Sequence, residues 1–231
     1  MAITQDDILR RKERQDALNR AESSESVAGV TSLPFQGDYR KFKEGKVPIK
    51  ALLLNPENRR TRAQRKKWCK HNNQDFSFWD RKNYDKVEVQ NALDEIIFLF
   101  FNSAQEKKII GNLKSDGQQE PLIVDHRGVV WSGNRRLTYM RKLFKEDPEK
   151  YGNFSNISIV KLPECQKQDL VTMETKMEIV EDVKSPHSWV DQYYGLREDM
   201  ADTELNMGII TADYKVQEKD IQKMILQINL V

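Results

Sequence analysis

Apolar residues in the middle of the chain follow spacings that predict two helices and then a hairpin. Spacings of three and four residues predict one helix over Val89–Phe100 and a second over Ile109–Leu113, which ends before Gly117. Two apolar runs, Leu122–Val124 and Val129–Trp131, flank a short glycine-containing turn, which is typical of a β-hairpin. The pattern therefore indicates a region in which helices and strands are mixed.

The second strand of this hairpin leads through Gly133 into an apolar helical face that includes Leu137 and Leu143. Further strands are predicted within Val47–Leu54 and at Ile157–Leu162. After residue 185 the spacing becomes helical again. Together these elements predict an α+β fold with a small mixed sheet, flanking helices and a C-terminal helical appendage.

The pattern divides the chain into three parts. Residues 1–44 have few apolar positions and are predicted to form a solvated helix or arm followed by a linker rich in serine and glycine. Residues 45–165 are predicted to form the folded domain, with an insertion at about 61–88. Residues 166–231 are predicted to form the helical appendage, whose helices would pack in the core or pair two copies of the chain.

Composition narrows the function classes. The 231 residues are 38% hydrophobic and 32% charged, with a net charge of +2 and a mean hydropathy of −0.75. No run of 18 apolar residues is present, so a membrane-spanning or secreted protein is not expected. Cys69 and Cys165 lie far apart with no CxxC motif and no Cys/His cluster near either, which argues against a disulfide framework and a zinc site and favours the cytoplasm.

The start of the helix at Gly133 is a candidate anion site. Such a helix presents unpaired backbone N–H groups and the positive end of its dipole, and Arg135 and Arg136 add guanidinium groups suited to phosphate. The alternative is that Gly133 only ends the strand and that the arginines are solvated or paired with carboxylates.

Four segments in this order resemble the ParB/sulfiredoxin-like superfamily: Asn55–Arg60, the helix end at Leu113–Gly117, the stretch Gln118–Asp125 and the helix start at Gly133–Leu137. The resemblance covers about residues 47–162. It implies a mixed α/β domain that binds a nucleoside triphosphate, with Mg²⁺, at the Gly-Asn-Arg-Arg helix start. Phosphate contacts and pocket lining would fall on Gly133, Asn134, Arg135, Arg136, Arg59, Arg60, Gln118, Glu120 and Pro121.

The sequence also departs from this pattern. Sulfiredoxins carry a cysteine in the helix-start motif, where this chain has Asn134, so sulfinic-acid reduction is not expected. The downstream phosphate motif of chromosome-segregation ParB proteins is replaced by Lys176–Asp182, in which Glu178 is a candidate metal ligand. Catalytic relatives use an acidic residue near the first loop, which makes Glu57 the candidate catalytic base; the alternative is that Glu57 pairs with arginine and shapes the turn.

A basic segment follows this loop without any acidic residue. Its candidate contacts to a nucleic-acid backbone are Arg62, Arg65, Lys66, Lys67 and Lys70. The aromatic residues Trp68, Phe76, Phe78 and Trp79 would either stack on bases or close the insertion onto the core.

The leading hypothesis is therefore a nucleotide-binding protein that couples the nucleotide to DNA-related work such as plasmid partition, DNA processing or phage defence. Two rivals stay open: an NTPase, nuclease or phosphotransferase that uses Glu57, and an interaction module for DNA or protein without nucleotide.

Overall fold

The structure is a computed structural model that describes residues 3–23, 29–100 and 104–180, with side chains for all of these except 99–100, 104–105 and 178–180. The described residues form six α-helices: α1 (Arg11–Ser23), α2 (Arg62–His71), α3 (Val87–Phe100), α4 (Ala104–Asp116), α5 (Asn134–Glu146) and α6 (Lys167–Val180). They also form six strands: β1 (Gly29–Phe35), β2 (Asp38–Pro48), β3 (Leu53–Leu54), β4 (Leu122–Val124), β5 (Val129–Ser132) and β6 (Asn156–Lys161).

The strands build one mixed sheet in the order β1-β2-β6-β4-β5-β3. The pairs β1/β2, β2/β6 and β4/β5 are antiparallel, whereas β4/β6 and β3/β5 are parallel. The parallel pairs need long connections, and these contain α2, α3, α4 and α5. The sheet order therefore brings the end of β3 next to the end of β5, where α5 begins.

Alternating residues of the central strands supply two cores, one on each face of the sheet. In β6, Ile157 and Ile159 join the core that contains residues of α1, α3 and α5, whereas Val160 joins the core under α6. In β4, Leu122 likewise joins the first of these cores and Ile123 joins the core under α6. The sheet is thus covered by helices on both faces, which explains the apolar character of its central strands.

The α+β fold class predicted from the sequence is confirmed. The two helices before Gly117, the hairpin of β4 and β5, the helix after Gly133 and the strand near residue 157 are all present. Gly117 follows α4 with a φ of 70°, a left-handed conformation that favours glycine and ends a helix.

The N-terminal part differs from the prediction. Residues 29–48 form the hairpin of β1 and β2, not a linker, and its turn places Gln36 and Gly37 at positive φ angles of 51° and 87°. Helix α1 inserts Ala17 and the fully buried Leu18 into the main core. Sheet and core therefore begin well before residue 45, because a few well-placed apolar residues suffice to dock an otherwise polar helix.

The predicted C-terminal appendage lies partly within the described residues, which end at residue 180. Helix α6 contacts β1 and β5 and contributes Leu170 and Met173 to the second core, so this segment packs on the sheet. The helices predicted after residue 185, and the pairing of copies through them, lie outside the described residues. In the part of the chain that the structure describes, no helix has the length and apolar character needed to span a membrane.

Candidate functional site

The junction between β5 and α5 is built around Gly133. This residue is the N-cap of α5 and has a φ of 101°, which L side chains rarely adopt. A Cβ atom at this position would lie 2.4 Å from Leu122 Cδ2 and 3.2 Å from Arg136 Nη2. Glycine is therefore required for the chain to turn from strand into helix beneath these two side chains.

Asn134, predicted to contact phosphate, holds the junction together. Its Oδ1 accepts a hydrogen bond of 2.9 Å from the Asn55 backbone N–H, and its Nδ2 donates a hydrogen bond of 2.8 Å to the Val130 carbonyl. The residue is only 4% exposed. Because both ends of the amide bond to the protein, the side chain links the loop after β3 to α5, and this arrangement does not favour phosphate contact.

Arg136 turns back toward the strand that precedes it. Its Nη1 donates to the Glu120 carbonyl oxygen at 2.9 Å and lies 3.4 Å from Glu120 Oε2. With its Nη2 close to the Cβ position of Gly133, the guanidinium covers the outer side of the helix start. The guanidinium group of Arg136 thus occupies part of the space at the start of α5.

Arg135 lies near charged residues of the loop after β3, of α4 and of α5 itself. Burial and the positive charges of Arg60 and Arg136 together lower the pKa of Arg135 to about 10, against the opposing effect of Glu106 at the start of α4. Three guanidinium groups therefore gather at the start of α5, and the buried Glu106 is the carboxylate that acts on Arg135. No pattern in the sequence places Glu106 opposite α5, so this residue could not be predicted as part of the site.

The loop after β3 has a fixed shape. Asn55 Oδ1 accepts a hydrogen bond from the Glu57 backbone N–H at 2.8 Å, and Asn58 Oδ1 accepts one from the Arg60 backbone N–H at 2.9 Å. Asn55 is 1% exposed, and its Nδ2 has no hydrogen-bond partner among the described residues. A buried donor thus lies in the segment that Asn134 ties to α5.

Arg59 connects the same loop to α6. Its Nη1 donates to Thr175 Oγ1 at 2.9 Å. Thr175 lies in a part of the chain that the sequence analysis assigned to an appendage, so its position beside the loop was not foreseen. Of the predicted phosphate contacts, the structure thus brings Arg60, Arg135 and Arg136 together and directs Arg59 toward α6.

Glu57, the predicted catalytic base, is held by cations. Its carboxylate lies 3.2 Å from Lys167 Nζ through Oε1 and 3.2 Å from Arg81 Nε through Oε2. Burial alone would raise the pKa of Glu57, but Lys167, Arg81 and the neighbouring Tyr84 hydroxyl outweigh it, and the pKa is lowered. A carboxylate with a lowered pKa is a weak base, so the geometry favours a role in shaping the loop, with Arg81 and Lys167 in place of the arginines expected as partners.

The predicted pocket-lining residues also have structural roles. Gln118 Nε2 donates to the Ser158 carbonyl at 2.7 Å, and Gln118 Oε1 accepts from the Ser158 N–H at 2.8 Å, so this side chain extends the hydrogen bonding of β6. Pro121 is half-buried immediately before β4. Glu120 is exposed and pairs with Arg136.

The basic segment forms one 3-10 turn and helix α2, and its cations differ in exposure. Arg65 is 3% exposed, lies 5.4 Å from the Phe76 ring centroid and 5.9 Å from that of Trp79, and donates to the Asn58 carbonyl. This position contradicts the prediction that Arg65 contacts nucleic acid. Arg62 is half-buried, whereas Lys66, Lys67 and Lys70 are exposed.

The aromatic residues of the insertion pack on one another. Trp68 and Phe78 are stacked at 4.9 Å, and Trp79 meets Phe78 edge-on at 4.8 Å. Trp79 is buried, and its Nε1 donates to Cys69 Sγ. This arrangement agrees with the alternative in which the aromatics close the insertion onto the core.

The role of Glu178 as a metal ligand stays a prediction. Glu178 lies on α6 at a position whose side chain is not described. Within residues 3–23, 29–100 and 104–180, no group of three or more histidine, cysteine, aspartate or glutamate side chains is arranged to hold a metal ion.

No protein family and no curated protein matches this sequence. Among solved structures, the chain is similar to the C-terminally truncated chromosome-partitioning protein ParB from Caulobacter crescentus, complexed with CTP-γ-S. The two sequences are 11% identical, the match covers 78% of this chain and 76% of the other, and the TM-score is 0.32. At this degree of similarity no residue role is transferred from ParB.

Proposed function

We propose that this chain binds the phosphates of a nucleoside triphosphate at the start of α5. The observation that carries the proposal is the concentration of three guanidinium groups, from Arg60, Arg135 and Arg136, at a helix N-terminus. Partly buried like charges repel one another, and a bound polyanion would relieve that repulsion. The helix dipole and the backbone N–H groups of the first turn act in the same direction.

Two further features support phosphate as the ligand. Guanidinium groups donate two parallel hydrogen bonds to phosphate oxygens, which makes arginine better suited than lysine to a site of this kind. The unused Asn55 Nδ2 is an additional donor in the adjoining loop. Because Mg²⁺ keeps much of its water shell and binds through substrate phosphates, it would enter with the nucleotide.

We further propose that nucleotide binding is coupled to DNA through the exposed lysines of α2. One exposed side of the helix carries three lysines, Lys66 and the residues one and four positions after it, Lys67 and Lys70. The loop that bears Arg60 leads directly into α2, so a change at the nucleotide site would reach this surface over a few residues. Plasmid partition, DNA processing and phage defence all belong to this class of work.

We do not extend the proposal to catalysis. A general base has to accept a proton, and the carboxylate of Glu57 is stabilised in its ionised form by Lys167 and Arg81.

Calorimetry with each of the four common ribonucleoside triphosphates, with and without Mg²⁺, tests the nucleotide proposal. We expect one of them to bind with Mg²⁺ dependence and Arg135→Ala to weaken that binding roughly tenfold or more, the effect of losing one charge-assisted contact. Arg20→Ala, which removes an exposed arginine from α1, is the matched control and should leave the affinity unchanged. Absence of binding to all four nucleotides, or equal loss in both variants, would contradict the proposal.

A further inference from the structure

A cavity lies farther along α5, beside residues about two turns beyond the helix start. Its volume is about 850 Å³, within the range of small-molecule sites in proteins. Helices α3 and α5 each present one face to it, with Asp94 and Phe98 on α3 and Arg141 and Lys142 on α5. Arg141 follows Gly133 by eight residues, or roughly 12 Å along the helix, so the cavity is distinct from the proposed phosphate site.

Arg141 gives the cavity a buried cation. Its Nη2 donates to the Leu52 carbonyl at 2.5 Å, whereas its Nη1 is buried and has no hydrogen-bond partner among the described residues. Burial lowers the pKa of Arg141 to about 10, and the nearby carboxylates of Asp94 and Asp7 oppose this effect. The guanidinium therefore stays protonated at neutral pH and has one unused donor at the cavity wall.

Several of the other charges around the cavity are engaged. Asp7 pairs with Lys145 at 3.1 Å, and Lys142 Nζ lies 4.0 Å from the centroid of the Phe98 ring. Burial raises the pKa of Asp94, while Arg141 and Lys142 counteract this effect. Asp94, which does not have the lysine partner that Asp7 has, is thus a negative group that competes with a ligand anion for Arg141.

The walls also carry apolar groups. Ile49 and Phe144 line the cavity together with the Phe98 ring, which is 41% exposed although it belongs to a packed helix. A flat aromatic ring fits against these apolar groups and beside the part of the Phe98 ring that Lys142 leaves exposed. A carboxylate on that ring would satisfy the unused donor of Arg141.

We propose that this cavity is a binding site for a small aromatic carboxylate, with the acid group on Arg141 and the ring against Phe98. Such a ligand would bridge α3 and α5, so it would act at a place that no predicted function of the chain uses. The proposal does not depend on nucleotide binding.

Calorimetry with 2-naphthoate tests the proposal, and 2-naphthalenemethanol is the neutral probe of nearly the same shape. We expect 2-naphthoate to bind one molecule per chain, and the alcohol to bind at least about tenfold more weakly because it lacks the charge-assisted contact. Equal binding of the two probes, or no binding of 2-naphthoate, would overturn the proposal without any variant being made.

Three variants locate the site. Arg141→Gln should weaken 2-naphthoate binding about tenfold or more, and Asp94→Asn should strengthen it because the competing charge is removed. Phe98→Ala should weaken both probes, and because Phe98 is partly exposed this variant is expected to remain folded. Circular dichroism checks the fold of each variant. Unchanged 2-naphthoate affinity in folded Arg141→Gln and Phe98→Ala proteins would overturn the assignment, and their triphosphate binding should match that of the unaltered protein.

Discussion

Substitution of Gly133 by alanine tests how the helix start is built. The backbone there has a φ of 101°, and an added Cβ would lie 2.4 Å from Leu122 Cδ2. Leu122 is fully buried in the main core and cannot swing into solvent. The substitution therefore combines two separate penalties, one in the backbone and one in the packing.

The size of the effect follows from these two penalties. A left-handed conformation costs a residue with a Cβ atom about 1–2 kcal/mol. Overpacking a well-packed core by one methyl group costs about 1–3 kcal/mol. Gly133→Ala should therefore lower the free energy of unfolding by about 2–5 kcal/mol, a large part of the about 5–15 kcal/mol that stabilises a typical protein.

Urea-induced unfolding followed by far-UV circular dichroism measures this free energy. Gly111→Ala is the matched control, because Gly111 lies within α4 and an added Cβ would meet nothing within 4 Å. That control should be stabilised by about 0.5–1 kcal/mol through its helix propensity. The same exchange is thus predicted to change stability in opposite directions at the two positions.

A double variant separates the two penalties. Leu122→Val shortens the side chain that meets the new Cβ, so the cost of Gly133→Ala should be smaller in that background, leaving mainly the backbone penalty. A Gly133→Ala protein within about 0.5 kcal/mol of the unaltered protein, the ordinary range for surface substitutions, would refute the described packing.

Three other predictions concern the loop, the helix start and α2. Because the pKa of Glu57 is lowered from 4.5 in the folded protein, its ion pairs stabilise the fold above that pH and are lost as the pH falls further; unfolding experiments should show a shallower acid loss for Glu57→Gln. Asn134→Ala should cost about 2–4 kcal/mol in urea unfolding, since it leaves two buried backbone groups unbonded. Replacing Lys66, Lys67 and Lys70 with glutamate should reduce DNA retention and its salt dependence without loss of fold; unchanged retention would remove α2 from the proposed DNA surface.

Local pattern was sufficient for much of the fold. The helix that ends before Gly117, the hairpin that follows and the passage through Gly133 into α5 all depend on residues close together in the chain, so spacing and turn chemistry reveal them. The β1/β2 hairpin was missed because its serine and glycine content is typical of a linker, and its turn uses Gln36 where asparagine or aspartate would have given a clearer signal.

The candidate site was predictable only in part. The arginines after Gly133 are visible in the sequence, and three of the predicted arginines do converge at the start of α5. The partners of Glu57 could not be predicted, since Arg81 and Lys167 belong to two separate segments that folding brings to the loop. The burial of Arg65 could not be predicted either, because it depends on aromatic residues that fold back over α2.

The sequence by itself determined the order of helices and strands, the glycine at the junction and the sign of the charge placed there, because each follows from interactions between near neighbours. Only the tertiary structure decided which of these side chains are bonded to other parts of the protein. Asn134 and Gln118 bond to backbone groups distant in the chain, while Arg141 is left with an unused donor beside a cavity. Such outcomes depend on the sheet order and on helix packing, which bring together residues that no local pattern relates.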